Sequence, residues 1–340
     1  MKILVDIGHP AHVHYFKNFI WLMQKKGHEF LFTARERPNV FDLLRAYNFE
    51  YVSRGKGASN LLGKIAYIPK ADFLIYKTAK KFKADRFMSF SSMYAAQASK
   101  MLGKPCITFD DTEHSTLEHR LYAPFSDIIC TPTCFRKDFG QKHVRFNGYM
   151  ELCYLHPRYF KPNPAVLEEV NLDQEDKFFI LRFVSWKAGH DVGQKGFSVE
   201  AKLKLIKEME KHGRVLISSE EQLSKDLEKY RAPITPEKMH DLLYYATMFV
   251  GEGATMASES AVLGTPSIYV NTLNLSYLEE QEERYGLTYN FSEATPALEK
   301  IIELLKNNNL KGEWQKRREK LIKEKIDVTE WMVEFVENFR

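Results

Sequence analysis

Short apolar segments alternate with helix-like segments along most of this chain, and this alternation constrains the fold more than any other sequence feature. The predicted strands are Lys2–Asp6, His28–Thr33, Phe49–Val52, Arg86–Phe90, Cys106–Phe109 and Asp127–Cys130, then Phe178–Phe183, Arg214–Ser218, Met248–Val250 and Ser267–Val270. Strand–helix alternation of this kind predicts parallel sheets with helices on both faces. The predicted fold class is therefore α/β.

The alternation stops between Asn147 and Pro164, in a passage where prolines are frequent. Such a passage is typical of a linker between domains. We therefore expect two similar Rossmann-like domains, residues 1–160 and 161–326, that face a cleft. A last amphipathic helix lies within residues 327–340, after the second domain should be complete. A long helical stretch in the first domain is expected to break near Pro69.

Charge and hydropathy exclude several classes of protein. The formal net charge is +4, from 49 basic and 45 acidic residues, whereas a nucleic-acid binder usually has a far more basic domain. No apolar run approaches the roughly 20 residues of a membrane span, and no signal peptide precedes the first strand. We expect a cytoplasmic protein. The basic segment Tyr76–Lys83 is either a solvated helix face or a peripheral contact with the membrane.

The segment Gly251–Pro266 has the order of an anion-binding turn, with a strand before it, glycines, a helix of small residues and a second strand. Gly251 and Gly253 are expected to let the backbone turn sharply. Amides at the start of a helix favour a bound anion. The predicted nucleotide-binding residues are Gly253, Ala254, Thr255 and Met256, with Glu259 placed to bind ribose hydroxyls. The alternative is an ordinary crossover whose glycines serve only the turn.

Two polar loops follow strands of the first domain, at the edge where open α/β sheets bind ligands. The first loop contains His9, His12 and His14, which act as a general base, contact substrate, bind a metal or only begin a helix. The second loop, Asp110–His114, is expected to bind sugar hydroxyls or to move protons through Asp111, Glu113 and His114, or else merely to cap the next helix.

A third polar loop, Phe183–Asp191, follows the first strand of the second domain. Ser185 can donate a hydrogen bond to a phosphate, and Lys187 can neutralise it. The alternative is a flexible loop bounded by glycines.

Together these motifs resemble those of the GT-B superfamily of nucleotide-sugar enzymes, and most of all the DUF354 family, which is similar to nucleotide-sugar 2-epimerases and MurG-type glycosyltransferases. Gly8–His14 resembles the histidine-bearing first loop of the transferases. Gly253–Pro266 resembles the epimerase signature Ser-Gly-Gly-x-x-Glu-Glu-Ala, with Ala254 replacing the second glycine. Glu113 matches the glutamate of the epimerase motif His-x-Glu-Ala-Gly, but Asp111 replaces its histidine and the glycine is absent.

The resemblance implies a GT-B fold whose C-terminal helix crosses back to the N-terminal domain. It also implies a metal-independent, inverting glycosyltransferase of polysaccharide biosynthesis, which moves a sugar from a UDP-sugar or another nucleoside-diphosphate sugar to a cell-envelope, glycan or lipid-linked acceptor without a cofactor. In this scheme His12 deprotonates the acceptor, and His14 or Glu113 orients it. One alternative is a nucleotide-sugar 2-epimerase or hydrolase. Another is a non-catalytic nucleotide-sugar-binding protein, and either way the protein is expected in the cytoplasm or on the inner face of the membrane.

Overall fold

The computed structural model describes residues 1–58, 60–183, 199–219 and 223–339. The chain divides into two compact units. The first unit comprises Met1–Tyr154 and Ile326–Arg340, and the second comprises Leu155–Lys325.

The first unit is built on a parallel sheet. Its strands are β1 (Lys2–Ile7), β2 (Glu29–Ala34), β3 (Tyr51–Ser53), β4 (Arg86–Phe90), β5 (Cys106–Phe109), β6 (Ile128–Pro132) and β7 (His143–Phe146). Its helices are α1 (Pro10–Lys25), α2 (Val40–Ala46), α3 (Leu61–Phe82), α4 (Met93–Leu102) and α5 (Thr116–Tyr122), and α6 (Leu152–Leu155) contains the division between the units. The strand order is β3-β2-β1-β4-β5-β6-β7.

Helix α3 runs without a break through Pro69, so the expected break is wrong. Proline removes one amide donor and crowds the carbonyl four residues earlier, which belongs to Ile65. Both Pro69 and Ile65 lie on the exposed face of the helix. The carbonyl can therefore turn towards water, and the helix continues.

The second unit is built on a smaller parallel sheet. Its strands are β8 (Phe178–Arg182), β9 (Arg214–Ser218), β10 (Met248–Gly251), β11 (Ser267–Val270) and β12 (Thr288–Phe291). Its helices are α7 (Val166–Glu169), α8 (Val199–Met209), α9 (Lys225–Glu228), α10 (Met239–Tyr245), α11 (Ala254–Leu263), α12 (Ser276–Glu283), α13 (Ala294–Leu305) and α14 (Leu310–Glu324). The strand order is β12-β11-β10-β8-β9. Two parallel sheets confirm the predicted α/β class.

In each sheet the order of the strands changes direction at one place. This switch point lies between β1 and β4 in the first unit and between β8 and β10 in the second. Open α/β sheets bind ligands outside the carboxyl ends of the strands that flank such a point. The topology therefore predicts ligand sites at the loops that follow these four strands.

The last helix, α15 (Val328–Asn338), belongs to the first unit and packs against α1. Its side chains Val328, Met332 and Val336 are fully buried. A Cβ atom added to Gly148 would lie 2.4 Å from Cγ2 of Val328, so a glycine is needed where the helix begins. The hydroxyl of Thr329 also donates to the carbonyl oxygen of Cys153 at 2.7 Å.

Candidate functional site

The switch point of the second unit lies beside the start of α11. The four residues Gly253, Ala254, Thr255 and Met256 are half-buried, whereas the rest of the helix is buried. Gly253 is the N-cap residue and provides no side-chain hydrogen bond to the first turn. The first amides of a helix have no partner within it, and they carry the positive end of the helix dipole. This turn can therefore accept an anion.

The glycines before α11 do not form the sharp turn that the sequence predicted. Neither Gly251 nor Gly253 has a positive φ, so neither is required for a sharp turn. Gly251 is needed for close packing, because an added Cβ would lie 2.8 Å from the backbone oxygen of Arg182 on the neighbouring strand. Gly253 has φ −93° and ψ 116°, which is extended backbone open to most residues.

Glu259 lies on the same face of α11 as Thr255, one turn further along. Its side chain leans towards the start of the helix, because helical side chains point to the N-terminus. The carboxylate is buried, and its Oε1 lies 2.9 Å from Nε2 of His240 on α10. The pairing holds Glu259 in one orientation one turn beyond the start of α11.

Arg182 ends β8 at this switch point, and no sequence motif singled it out. It is aligned with Gly251 across the sheet, and its Nη1 donates to the hydroxyl of Ser218 at 3.3 Å. Ser218 in turn lies 3.9 Å from the sulfur of Met256. The signal in the sequence is a charged residue at the end of an otherwise apolar strand. The predicted phosphate ligands Ser185 and Lys187 lie outside the described residues.

His12 lies at the switch point of the first unit. Its ring is 4.8 Å from that of Phe90, at the end of β4, and 5.8 Å from that of His9. Just beyond Phe90, Ser91 has a φ of +49°, a strained conformation for a residue with a side chain. The structure therefore places His12 where the topology predicts a ligand.

The contacts of His12 favour a donor rather than a base. The amide of Gly8 donates to Nδ1 of His12 at 3.3 Å. Burial lowers the pKa of His12 well below its usual value, and the positive charges of His9, Arg37 and Arg54 lower it further. The ring is then neutral at pH 7, and its one proton is on Nε2. In this form Nε2 donates a hydrogen bond and has no lone pair with which to accept a proton.

His14 is not brought together with His12. It lies two residues further along α1, and successive helical positions of that spacing face different ways. Its ring stacks on Tyr154 with 5.3 Å between centroids, and Tyr47 lies 3.3 Å from its Nδ1. The side chain is buried among these aromatic rings. Its surroundings are those of a packed core histidine.

Two adjacent aspartates follow β5 in different environments. The carboxylate of Asp110 accepts hydrogen bonds from the amide of Thr112 at 2.9 Å and from the hydroxyl of Tyr122 at 2.5 Å. Nε2 of His119 lies 3.0 Å from Asp110, at ion-pair distance but without the alignment of a hydrogen bond. These contacts fix the orientation of the Asp110 carboxylate.

Asp111, by contrast, is held largely in its acid form near neutral pH. Burial, followed by the negative charges of Asp110 and Glu113, raises the pKa of Asp111 to about 8. A buried carboxyl group whose pKa is raised beside a second carboxylate is typical of acid–base sites. The site therefore contains a proton-transfer group that titrates close to physiological pH.

Glu113 lies near enough to Asp111 for its charge to act on that carboxyl group. Its Oε1 accepts from the backbone amide of Arg136 at 3.4 Å. Strand β4 separates β1 from β5, so the loops after these strands begin about 10 Å apart. Within the described residues, no group of three or more histidine, cysteine, aspartate or glutamate side chains is arranged to hold a metal ion.

Comparison with known proteins identifies relatives of the whole chain. The family model described as protein of unknown function (DUF354) matches residues 1–340. An uncharacterised protein of Methanocaldococcus jannaschii is 24% identical over 284 residues, which cover 79% of this chain and 81% of the relative.

Solved structures show the same architecture at low identity. The UDP-GlcNAc 2-epimerase of Neisseria meningitidis bound to UDP-GlcNAc is 13% identical with a TM-score of 0.71, covering 99% of this chain and 100% of the other. The glycosyltransferase SsfS6 of Streptomyces sp. SF2575 is 12% identical with a TM-score of 0.59, with the same coverage. This likeness shows the fold, which is GT-B, and is shared by both kinds of enzyme.

Proposed function

The chain belongs to the DUF354 family, and from this premise we propose that it acts on nucleoside-diphosphate sugars as a metal-independent, inverting glycosyltransferase. The observation that carries the proposal is the accessible first turn of α11 at the switch point of the second unit. The solved relatives include enzymes described with bound UDP or UDP-GlcNAc, which supports a nucleotide-sugar ligand.

In the proposed reaction the second unit holds the donor. Amides of Ala254, Thr255 and Met256 bind the diphosphate and stabilise the negative charge that develops as the bond to the sugar breaks. Arg182 adds positive charge at the same switch point, and Glu259 binds the ribose hydroxyls. Fixed donors of this kind supply the stabilisation that a divalent ion provides in other transferases.

The first unit binds and deprotonates the acceptor. Asp111 takes the proton from the acceptor hydroxyl, because a base with a pKa near the working pH transfers protons well. Burial, with the charges of Asp110 and Glu113, keeps the pKa of Asp111 high. His12 donates from Nε2 to an oxygen of the substrate. We propose a glycan or lipid-linked acceptor in polysaccharide biosynthesis, with no cofactor.

Nucleotide binding is the first test of this function. A panel of nucleoside diphosphates should include one that raises the melting temperature. Glu259→Gln should weaken its affinity by about 1–3 kcal/mol, the effect of a lost hydrogen bond to a charged group, measured by calorimetry. The matched control is Glu299→Gln, an exposed carboxylate on α13. Equal affinities of both variants, with the fold intact, would remove Glu259 from the nucleotide site.

A nucleotide-sugar 2-epimerase is the second candidate. Its support is that Asp111 is protonated near neutral pH and can donate as well as accept a proton, together with the fold shared with UDP-GlcNAc 2-epimerases. Incubating the protein with the bound donor and no acceptor separates the two reactions. An epimerase converts the sugar under these conditions, whereas a transferase leaves it nearly intact.

We also propose that α3 contacts the inner face of an anionic membrane. Leu62, Ile65 and Phe73 are exposed by 81%, 57% and 51%, and Nζ of Lys77 lies 4.6 Å from the ring centre of Phe73. Further along the helix, exposed Lys80 and Lys81 extend this surface, and the only acidic residue of the helix is buried. Apolar side chains flanked by lysines are typical of helices that bind anionic lipid surfaces. Among the described residues, no helix is long and apolar enough to span the bilayer.

Membrane contact predicts cosedimentation with anionic vesicles. Each lysine near the surface contributes about 1 kcal/mol, and the effect falls with salt. We expect binding to phosphatidylglycerol vesicles to exceed binding to phosphatidylcholine vesicles, and Phe73→Ser with Lys77→Gln to weaken it. Equal binding to both kinds of vesicle would contradict this contact.

A further inference from the structure

Three guanidinium groups lie at the carboxyl ends of β2 and β3, and one of them is structural. Arg54 is buried, and its Nε donates to Oδ1 of Asp6 at 2.9 Å. Thr33 donates to the same carboxylate oxygen at 2.8 Å, and Ser92 donates to Oδ2 at 2.6 Å. The charge of Arg54 is therefore balanced inside the sheet edge.

The positive charges of Arg35 and Arg37 are not balanced by a carboxylate in this way. Nε of Arg35 donates to the carbonyl oxygen of Lys56 at 2.9 Å, and Nη1 of Arg37 donates to that of Gly8 at 3.4 Å. In the part of the chain that the structure describes, neither guanidinium has a carboxylate within 4.0 Å. The neighbouring Glu36 pairs instead with Nζ of Lys56 at 3.5 Å. Both arginines are half-buried.

The positive charges repel one another. Burial lowers the pKa of Arg35, and Arg37 and Arg54 lower it further. The carboxyl of Asp72, near Arg54, is only partly ionised at neutral pH, because burial and the charge of Asp6 raise the pKa of Asp72 to about 7. Such an arrangement is unfavourable in an empty site and is relieved by a bound anion.

The loops around the arginines form a set of hydrogen-bond donors. Gly57 has φ +76°, and an added Cβ would lie 3.2 Å from Nε of Arg35, so glycine lets this loop pack against the guanidinium. Guanidinium groups donate only, and Nε2 of His12 donates in its neutral form. Arg37 is close enough to His12 to lower its pKa. These groups share one ligand preference, an oxygen that accepts hydrogen bonds.

We propose that Arg35 and Arg37, beside the donor His12, form a subsite for an oxyanion, a phosphate or carboxylate group carried by the acceptor. The subsite lies wholly within the first unit and differs from the diphosphate site at α11. Only the assignment of the anion to the acceptor rests on the proposed function. A planar guanidinium binds two oxygens of such a group at once, which makes arginine selective for it.

The test is titration of the whole protein with inorganic phosphate and, separately, with acetate, followed by calorimetry. If the panel identifies a nucleoside diphosphate that binds, it is added at saturating concentration, so that the proposed site at α11 is already occupied. Combining Arg35→Gln with Arg37→Gln should weaken phosphate binding by roughly tenfold or more, the effect of losing charged hydrogen bonds. The control Arg45→Gln removes an exposed arginine of α2 that pairs with Asp42, and it should bind like the wild type.

Each outcome has one meaning. Stronger binding of phosphate than of acetate identifies a phosphate-bearing acceptor, and the reverse identifies a carboxylate. No binding of either anion, or equal binding by the double variant, would overturn the subsite. Loss of nucleoside-diphosphate affinity in the double variant would assign the arginines to the donor and overturn the assignment to the acceptor. Phosphate binding that depends on the arginines, without any nucleotide binding, would leave the subsite standing while the proposed function fails.

A second variant tests the subsite even if the double variant does not fold. Arg37→Lys keeps the charge but cannot bind two oxygens side by side. We expect its phosphate affinity to lie between those of the wild type and the double variant, with an unchanged melting temperature. An affinity equal to that of the wild type would show that Arg37 does not contact the anion.

Discussion

Replacing Asp111 with asparagine is expected to lower turnover by roughly 10²–10⁴-fold, the usual contribution of a positioned proton-transfer group. The asparagine amide has nearly the shape of the carboxyl group, but it neither gains nor loses a proton in this pH range. Nucleoside-diphosphate affinity should not change, because the proposed donor site belongs to the second unit. Turnover with a donor and acceptor, and calorimetry with the nucleotide, measure the two effects separately. Full turnover by the variant would exclude Asp111 as the base.

The pH dependence distinguishes the two roles of Asp111. Burial and the charges of Asp110 and Glu113 raise the pKa of Asp111 to about 8. If it is a base, the rate rises with pH and levels off above about 8. If it is an acid, the rate falls over the same range. A rate with no step near pH 8 in the wild type would contradict both roles.

The same substitution should stabilise the protein at high pH. In the unfolded chain Asp111 has an ordinary pKa of about 3.9, so between about pH 4 and pH 8 the folded chain holds a proton that the unfolded chain has lost. The free energy of unfolding therefore falls as pH rises through this window. Asp111→Asn lacks this dependence, and its melting temperature should exceed that of the wild type most clearly at pH 8 and above. Melting curves at pH 5 and pH 8.5 measure the difference.

His12→Ala is expected to lower turnover by roughly 10²–10³-fold, as loss of a fixed donor to a reacting oxygen does. His12→Gln is the matched variant, because its amide nitrogen can occupy the position of Nε2 and donate in the same direction. We expect it to retain much more activity than His12→Ala. Both variants should keep nucleoside-diphosphate affinity.

The comparison of these two variants decides what His12 does. If glutamine and alanine lose activity equally and the wild-type rate shows a step near pH 6, His12 is the base predicted from the sequence. The structure favours the donor, since the amide of Gly8 occupies Nδ1 and burial lowers the pKa of the ring. No step from His12 is then expected at neutral pH.

Most of the sheet was predictable from sequence because buried parallel strands are short apolar runs. Strands such as β5 and β11 are buried at every position and were recognised within a residue or two. The strands β7 and β12 were missed. Both lie at an edge of their sheet and are only partly buried, so their apolar pattern is weak.

The start of α11 could be predicted because it is encoded locally, by an apolar strand followed by glycines and a helix of small residues. The arginine cluster could not, because it depends on which strands become neighbours. Arg35 and Arg54 follow different strands, and only the strand order brings them beside the loop that begins at Gly8. The raised pKa of Asp111 likewise could not be predicted, because it depends on burial in the folded protein.

The place of α15 in the first unit has a consequence for how the protein is made. The second unit is one uninterrupted segment, Leu155–Lys325, whereas the first needs Ile326–Arg340 as well as Met1–Tyr154. On the ribosome most of the first unit is therefore synthesised before the second unit, and its remaining helix is synthesised after it. Until α15 is synthesised, the surface of α1 that it covers stays open to water, and partly folded surfaces of this kind aggregate. We therefore expect a nascent chain stalled after residue 325 to depend on chaperones more strongly than the finished protein.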